Sequence, residues 1–216
     1  MLERFTWYKQ SAYLWRGDSL NVYIDPWGVT DEVPGDVVFI THAHEDHFNE
    51  EDLKKVVRRE TILVAPRNVA QELSGNVQPV APGDSIEVAG IKVQAVPAYN
   101  IVESRLEMHP KANNWVGYIL TLGDTTYYHA GDTDHAPELD DVKADAAFLP
   151  IGGTYTMTAQ EAAQLAKTIQ PQIAVPMHYG GYFPGVGKEA DGEAFRRAAD
   201  PVKVEILRPE HPFPEK

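Results

Sequence analysis

One short segment of the chain is rich in side chains that bind metal ions. Residues 41–48, THAHEDHF, contain three of the eight histidines of the chain and two acidic residues. His42, His44, Asp46 and His47 follow the apolar run DVVFI, so they stand on a loop at the carboxyl end of a predicted strand, where α/β sheets place their sites. Imidazole nitrogen and carboxylate oxygen suit Zn, Fe, Ni or Mn. We therefore predict a metal site here; the alternative is a polar surface loop.

Two further loops offer ligands in the same strand-then-ligand arrangement. Asp132 follows the run TTYYHA, with Gly131 allowing a sharp turn, and His178 follows QIAVP, with two glycines beyond it. Each of them alone is also compatible with an ordinary turn. Together with the first segment, they predict one shared site at the carboxyl ends of several strands.

The elements that position these loops are predicted mainly as strands. Short apolar runs rich in β-branched residues recur along the chain and are bounded by Gly, Pro, Asp or Asn. They predict nine strands, within residues 20–25, 36–42, 61–65, 91–98, 116–122, 125–130, 145–151, 172–178 and 202–207.

Helices are predicted at three places. Thr158 and Glu161 form a capping-box pattern before an apolar helix face, and Pro171 ends that helix. Asn49 can cap the segment EEDLKKVV, and a third helix is predicted within residues 188–200. The order of strand, polar loop and helix occurs in both halves of the chain. It favours two sheets packed face to face with helices outside.

The composition excludes several classes of function. The chain has 216 residues, 32 acidic against 19 basic for a net charge of −13, and no cysteine. Thiolate metal sites, cysteine nucleophiles and disulfides are therefore excluded, and nucleic-acid and anionic membrane partners are disfavoured. We see no signal-peptide pattern and no apolar run near the ~18 residues of a membrane span. We expect one cytoplasmic domain, residues 1–216, acting on a small-molecule substrate, with a homo-oligomer left open.

The motifs THAHEDH, GDT and MHYG, in this order, resemble the metallo-β-lactamase superfamily. The phrases YHAGDTD, LPIGGTYTMTAQEAA and VPMHYG resemble its branch of small stand-alone metal-dependent hydrolases, related to the bacterial ascorbate-phosphate lactonase. The resemblance spans about residues 18–210. It implies a four-layer αββα sandwich of the α/β class (α+β in some schemes), with the site at one edge of the sheets.

The resemblance also implies a role for each ligand of the first segment. His42 and His44 would bind a first divalent metal ion. Asp46, His47 and His178 would bind a second ion. One or two divalent ions are therefore the implied cofactors, with zinc ahead of Mn, Ni or Fe.

The same resemblance implies the chemistry. Asp132 would bridge the two ions. A hydroxide held between the ions would attack the substrate, because metal ions lower the pKa of bound water to near ~7. Asp46 is the implied catalytic residue, which would orient that water or accept its proton.

One position departs from the family pattern. The family usually supplies a further histidine to the first metal, whereas this chain has Asn100 where near relatives often have histidine. Either His109 folds back as the missing ligand or touches the substrate, or Asn100 or water takes the place. The loop 99–114 is expected to lie over the metal cleft. Asp25 resembles a family acid near the site and would hold the second nitrogen of a ligand histidine, unless it serves only its turn.

The leading interpretation is a metal-dependent hydrolase acting on a small phosphorylated ester or a lactone-type metabolite. Arg105, Lys111 and Lys188 are the bases near the motifs and are expected to hold one phosphate or carboxylate. The alternatives are a phosphodiesterase or nuclease-type hydrolase of the same fold, a di-iron redox protein and a non-catalytic metal-binding scaffold. The redox branch typically has H-x-E-x-D in the first motif, and the retained Asp46 and Asp132 disfavour the scaffold.

Overall fold

Two six-stranded sheets form the centre of the fold. The computed structural model describes residues 1–30 and 33–214, so residues 31, 32, 215 and 216 of the predicted domain lie outside the described ranges. The first sheet consists of β1 (Phe5–Trp7), β2 (Tyr13–Arg16), β3 (Asn21–Ile24), β4 (Val37–Phe39), β5 (Ile62–Pro66) and β6 (Asn76–Val80), in that order. The second consists of β7 (Ser85–Val88), β8 (Ile91–Pro97), β9 (Val116–Leu122), β10 (Thr125–His129), β11 (Ala146–Pro150) and β12 (Ile173–Met177).

Alternating apolar side chains place a core on each face of the first sheet. Val37 and Phe39 of β4 belong to the large core that the two sheets share. Val38 and Ile40 point the other way, into a second core that includes Leu53 of the first helix. Successive side chains of a strand point to opposite faces, and both faces of β4 are buried. The run is therefore apolar throughout.

The helices cover the outer faces of the sheets. They are α1 (Glu50–Val56), α2 (Arg67–Ala70), α3 (Ala159–Ile169) and α4 (Ala190–Ala199). The predicted caps are confirmed. Asn49 accepts a hydrogen bond from the amide of Asp52, and Thr158 and Glu161 complete a capping box. The αββα sandwich is therefore confirmed, and none of the helices in the described residues is long and apolar enough to cross a membrane.

Parallel pairing brings the predicted ligand loops to one edge. Strands β3 to β6 are parallel, as are β10 to β12. In each sheet a helix makes a crossover, α1 between β4 and β5 and α3 between β11 and β12. Neighbouring parallel strands end at the same side of a sheet, so the loops after β10 and β12 meet. The loop after β4 comes from the first sheet, and its Thr41 carbonyl accepts a hydrogen bond from the amide of Val116 at the start of β9.

The predicted strand at residues 202–207 is wrong. This segment makes a single bridge, between Val204 and Ala174 of β12. The amide of Ala174 donates to the carbonyl of Lys203, and its carbonyl accepts from Glu205. The next residue of β12 that faces this edge is Pro176, which has no N–H to continue the ladder. The pairing therefore stops after one residue.

Four strands were not predicted: β1, β2, β6 and β7. The first two are short and aromatic, and they pair with each other in an antiparallel hairpin. Strand β6 is largely exposed and contains Pro79, and β7 is also mostly exposed. Pro79 argues against a strand at β6, and the alternating run SIEV of β7 is only four residues long, so neither gave a strong strand signal.

Candidate metal centre

The loop after β4 holds three histidines and one aspartate within contact distance of one another. The loop turns sharply because the carbonyl of His44 accepts hydrogen bonds from the amides of His47 and Phe48. The Nε2 atom of His42 lies 3.0 Å from Nδ1 of His44. Asp46 Oδ2 lies 3.4 Å from Nε2 of His47.

His109 folds back to the same place. The amide of Asn100 donates to the carbonyl of His109, which closes the loop between β8 and β9. The ring of His109 is buried, 5.1 Å from the ring of His42 and 4.9 Å from that of His44. The sequence left open whether His109 or Asn100 would complete the group of His42 and His44. The structure brings His109 to these two histidines, and Asn100 lies behind it.

Asp132 and His178 complete the group. Oδ2 of Asp132 lies 3.0 Å from Nε2 of His178 and 3.2 Å from Nε2 of His109. Its Oδ1 lies 3.4 Å from Nε2 of His47. Asp132 therefore lies between His109 on one side and His47 and His178 on the other. The resemblance places a bridging ligand at this position.

Glycines allow this close approach. Gly131 precedes Asp132 with a φ of +63°, and a Cβ there would lie 3.0 Å from the carbonyl oxygen of Val116. A Cβ on Gly152 would lie 2.6 Å from the carbonyl oxygen of His178. The distance at Gly152 is too short for a side chain, and the positive φ at Gly131 would strain any other residue, so both positions favour glycine.

The residues present fit one or two divalent cations. Three sets each bring their ligand atoms within 4.8 Å of one another: His42, His44 and His109; His42, His47 and Asp132; and Asp46, His47 and His178. Nε2 of His47, Nε2 of His109 and Oδ1 of Asp132 are buried without a hydrogen-bond partner. Such orphaned polar atoms are costly unless something binds them. Nitrogen and carboxylate donors that converge in this way suit a transition-metal ion.

An outer layer of hydrogen bonds orients the rings. Asp25 lies 2.7 Å from Nδ1 of His47 and also accepts from the hydroxyl and the amide of Thr41. Oδ1 of Asn100 lies 2.8 Å from Nδ1 of His109. Each contact occupies Nδ1 and leaves Nε2 of the ring directed at the centre. Metal-binding histidines are commonly oriented by an outer partner in this way. Asp25 therefore lies where its predicted role requires, in contact with the outer nitrogen of His47. Asn100 makes the equivalent contact with His109.

The pKa values of His42 and His44 are shifted in the opposite direction from that of His178. Burial, reinforced by His47, holds the pKa of His42 well below its usual value, and burial together with His109 lowers the pKa of His44. Burial also acts against charge on His178, but Asp132 and Asp46 raise its pKa to about 9. His42 and His44 are thus held in the neutral form, which is the form of imidazole that binds metal ions.

The carboxylates of the second half remain ionised. Burial opposes this, but His47 and His178 hold the pKa of Asp46 well below its usual range, and they do the same for Asp132. The pKa of His47 is raised well above its usual value because Asp132, Asp46 and Asp25 outweigh its burial. Without a metal ion, protons on histidines balance the acids; a cation that binds here would displace them.

The predicted anion-binding role of Arg105 is not supported, because its guanidinium is already satisfied. The side chain is buried and donates to Asp134 at 2.6 Å and to Glu161 at 3.0 Å. Lys111 is exposed but bound to Glu138 at 2.6 Å. Arg105 therefore anchors the 99–114 loop instead of facing a ligand. Lys188 is exposed and does not line the cavity beside the centre.

Two contacts of the centre had no signal in the sequence. Gln10 is buried, and its Nε2 donates to Asp46 at 3.4 Å while its carbonyl accepts from the amide of His178. Trp115 packs against the rings of His42 and His44 at 4.9 and 5.0 Å. Neither belongs to a motif. The adjacent apolar β9 run was the only indication that Trp115 would be near a strand end.

A cavity of about 180 Å³ opens beside the clusters. His44, Asp46, His109, Asp132 and His178 form its polar side. The other lining residues are Met108, Tyr155, Phe183 and Val186, which are mostly apolar. The volume is below the range of pockets for drug-sized ligands, so the cavity suits a small molecule.

Comparison with known proteins agrees with this architecture. The profile of the β-lactamase superfamily domain matches residues 4–178. A zinc-dependent hydrolase candidate of the metallo-β-lactamase superfamily from Thermotoga maritima shares the fold, with a TM-score of 0.65 at 19% identity over 94% of this chain and 96% of that one. The chain therefore belongs to the β-lactamase superfamily and has the metallo-β-lactamase fold.

Closer relatives define the family within it. A UPF0173 metal-dependent hydrolase of Methanopyrus kandleri is 34% identical, covering 95% of this chain and 97% of its own. A candidate metal-dependent hydrolase of Parabacteroides distasonis has a TM-score of 0.84 at 32% identity, covering 95% of this chain and 93% of its own. The chain belongs to the UPF0173 metal-dependent hydrolase family.

Proposed function

We propose that the protein is a binuclear metal-dependent hydrolase of a small ester or lactone-type metabolite. One observation carries the proposal: seven histidine and aspartate side chains from four loops converge, and four of their buried polar atoms have no hydrogen-bond partner. His42, His44 and His109 would hold one ion, and Asp46, His47 and His178 the other, with Asp132 between them. The five imidazoles favour zinc, with Mn, Ni or Fe as alternatives.

The bound ions would supply a water molecule acidic enough to attack as hydroxide near neutral pH. In the reaction, the water oxygen adds to the acyl carbon, the ester C–O bond breaks and a proton passes to the leaving alcohol. Asp46 is the catalytic residue in this proposal. Its ionised carboxylate lines the cavity, and Nε2 of Gln10 donates to it. It can accept a hydrogen bond from the attacking water and fix its direction.

The substrate class is part of the proposal. The sequence predicts a phosphorylated ester or a lactone-type metabolite, and the kinship with the ascorbate-phosphate lactonase belongs to this same prediction. A single cytoplasmic domain without nucleic-acid or membrane partners is also proposed. The names of the relatives support hydrolysis and metal dependence but name no substrate.

Metal content and turnover test the function together. The purified protein is stripped with a chelator, reconstituted with zinc or manganese and analysed for bound metal. We expect two ions per chain, and hydrolysis of generic ester or lactone substrates that disappears with the chelator. A protein that retains only trace metal, or a fully loaded one inert toward esters, lactones and phosphodiesters, would contradict the proposal.

Asp46→Ala separates catalysis from folding. Asp46 lies on a loop and belongs to neither hydrophobic core. We expect the variant to fold, to weaken one metal site and to lose hydrolysis. Lys54→Ala, an exposed position on α1, is the matched control and should keep both metal ions and turnover. Normal hydrolysis by Asp46→Ala would remove this residue from the mechanism.

A further inference from the structure

The cavity beside the metal centre has a second side that the proposed chemistry does not use. Met108, Tyr155, Phe183 and Val186 make up the rest of the described lining, beside the histidines and aspartates; we call them the apolar wall. Met108 and Phe183 remain 40% and 37% exposed, and they are two of the four large apolar side chains exposed in the described ranges. Exposed apolar side chains that line a cavity mark a binding surface more often than isolated ones do.

Several contacts hold the apolar wall in place. The Phe183 ring stacks on Trp27, with centroids 5.1 Å apart and planes 9° apart. Val186 forms a bridge with Gly153, which ties the loop after β12 to the loop after β11. The carbonyl of Tyr155 accepts from Nδ2 of Asn100. Because Phe183 and Val186 are held in place before any ligand arrives, their part of the wall loses little conformational entropy on binding.

No lysine or arginine belongs to the described lining of this cavity. Arg105 and Lys111, the bases of the neighbouring loop, are bound to acidic partners. Lys9 also lies outside the lining, and its ammonium group packs 3.4 Å from the centre of the Trp27 ring. An ionised group placed against the apolar wall would lose its hydration without a counter-charge, which is costly.

We propose that the apolar wall binds the uncharged, apolar part of a small ester or lactone, and that Met108 and Phe183 select for it. The inference rests on the hydrolase function proposed above and names its substrate class. The reacting carbonyl would face Asp46 and Asp132, and a short alkyl or aryl group would cover Met108 and Phe183. Burial of each methylene there favours binding by an amount that corresponds to roughly fourfold in kcat/KM.

Three activated esters test the proposal on the zinc-loaded protein. The 4-nitrophenyl esters of acetate, butyrate and hydrogen succinate share one leaving group. Butyrate adds two methylenes to acetate, and hydrogen succinate replaces the terminal methyl of butyrate with a carboxylate. We expect kcat/KM for butyrate to exceed that for acetate by about fifteenfold, since it has two more methylenes, and to exceed that for hydrogen succinate as well.

Substitutions in the cavity test which residues cause the preference for butyrate. Phe183→Ala and Met108→Ala should raise KM for butyrate and reduce its advantage over acetate, with kcat and metal content retained. Leu106→Ala is the matched control, since Leu106 is exposed in the same loop as Met108 but does not line the cavity. It should keep the preference. Lys9→Ala should also keep the preference for butyrate. If this variant instead hydrolyses the succinate ester more slowly, Lys9 would be assigned to the binding of an anionic substrate.

Three results would overturn the inference: equal kcat/KM for acetate and butyrate, a preference for succinate, or a butyrate preference that survives both cavity substitutions. Calorimetry with the unreactive amide N-phenylbutanamide separates this inference from the hydrolase function. Binding that is lost in Phe183→Ala supports the apolar site even if no ester is hydrolysed, in which case only the hydrolase function fails. Absence of binding together with absence of a chain-length effect rejects the site itself.

Discussion

Asn100 should control one metal site and not the other. Its Oδ1 atom lies 2.8 Å from Nδ1 of His109, and both side chains are buried. Asn100→Ala removes this contact and frees the ring to rotate, while the backbone hydrogen bond from Asn100 to His109 remains. We expect weaker metal binding at the cluster of His42, His44 and His109, and unchanged binding at the cluster of Asp46, His47 and His178.

The size of the effect follows from the kind of hydrogen bond that is lost. The acceptor on Asn100 is neutral, and such a bond contributes about 1 kcal/mol, which corresponds to roughly fivefold in Kd. Asp25 provides the contrast, because its carboxylate lies 2.7 Å from Nδ1 of His47. A bond to a charged acceptor contributes about 2 kcal/mol, or roughly thirtyfold.

Asp25→Asn is therefore the matched variant for the second site. The new amide would present a donor to Nδ1 of His47 and favour the tautomer that carries its proton on Nε2. That nitrogen faces Asp46 and Asp132 and would no longer offer a lone pair to a metal ion. We expect this variant to weaken the second site by thirtyfold or more.

Competition with a chromogenic chelator gives both dissociation constants of each variant. Nitrogen-15 NMR of the histidine side chains assigns each constant to a site, because metal binding shifts the signals of His109 and His47 separately. The reasoning is refuted if Asn100→Ala and Asp25→Asn weaken the same site, or if Asn100→Ala changes neither constant.

Two further predictions concern stability. Arg105→Ala leaves the buried carboxylate of Asp134 without its guanidinium and should lower the free energy of unfolding by about 3–5 kcal/mol, whereas Lys111→Ala breaks an exposed pair and should change it by under ~1 kcal/mol; urea denaturation of the two variants compares them. In the metal-free protein, the pKa of His178 is raised from 6.5 to about 9, so its contribution of roughly 3 kcal/mol is fully present below pH 6.5 and lost as the pH rises through 9; urea midpoints in chelator that stay level over this window would contradict it.

The sequence predicted those parts of the centre that depend on local order. His42, His44 and His47 lie within six residues of one another, and their position after a buried strand was enough to predict a shared loop. Asp132 and His178 followed from the rule that parallel strands of one sheet end at a common side. The αββα sandwich was likewise indicated by repeated apolar runs and two capped helices.

The remaining parts depend on contacts between distant segments. The position of His109 is set by Asn100 and by the buried pair of Arg105 with Asp134, 29 residues apart. Gln10 reaches Asp46 across 36 residues of sequence. The missing strand at 202–207 depends on Pro176 in a neighbouring strand. No local pattern contains such information, because the deciding partner lies elsewhere in the chain.

Backbone strain gives an independent reason to regard this centre as functional. Gln10, Asp25 and His178 have φ values of +48°, +47° and +54°, and they are three of the six non-glycine residues with positive φ in the described part of the chain. Each such residue costs on the order of 1–3 kcal/mol and persists only where its surroundings impose it. Gln10 binds the amide of His178, and Asp25 orients His47, so all three support the second cluster. A fold that needed only stability would relax these residues, whereas a bound cation would offset their cost. The metal-loaded protein should therefore unfold at a higher urea concentration than the metal-free protein, and equal urea midpoints would contradict this.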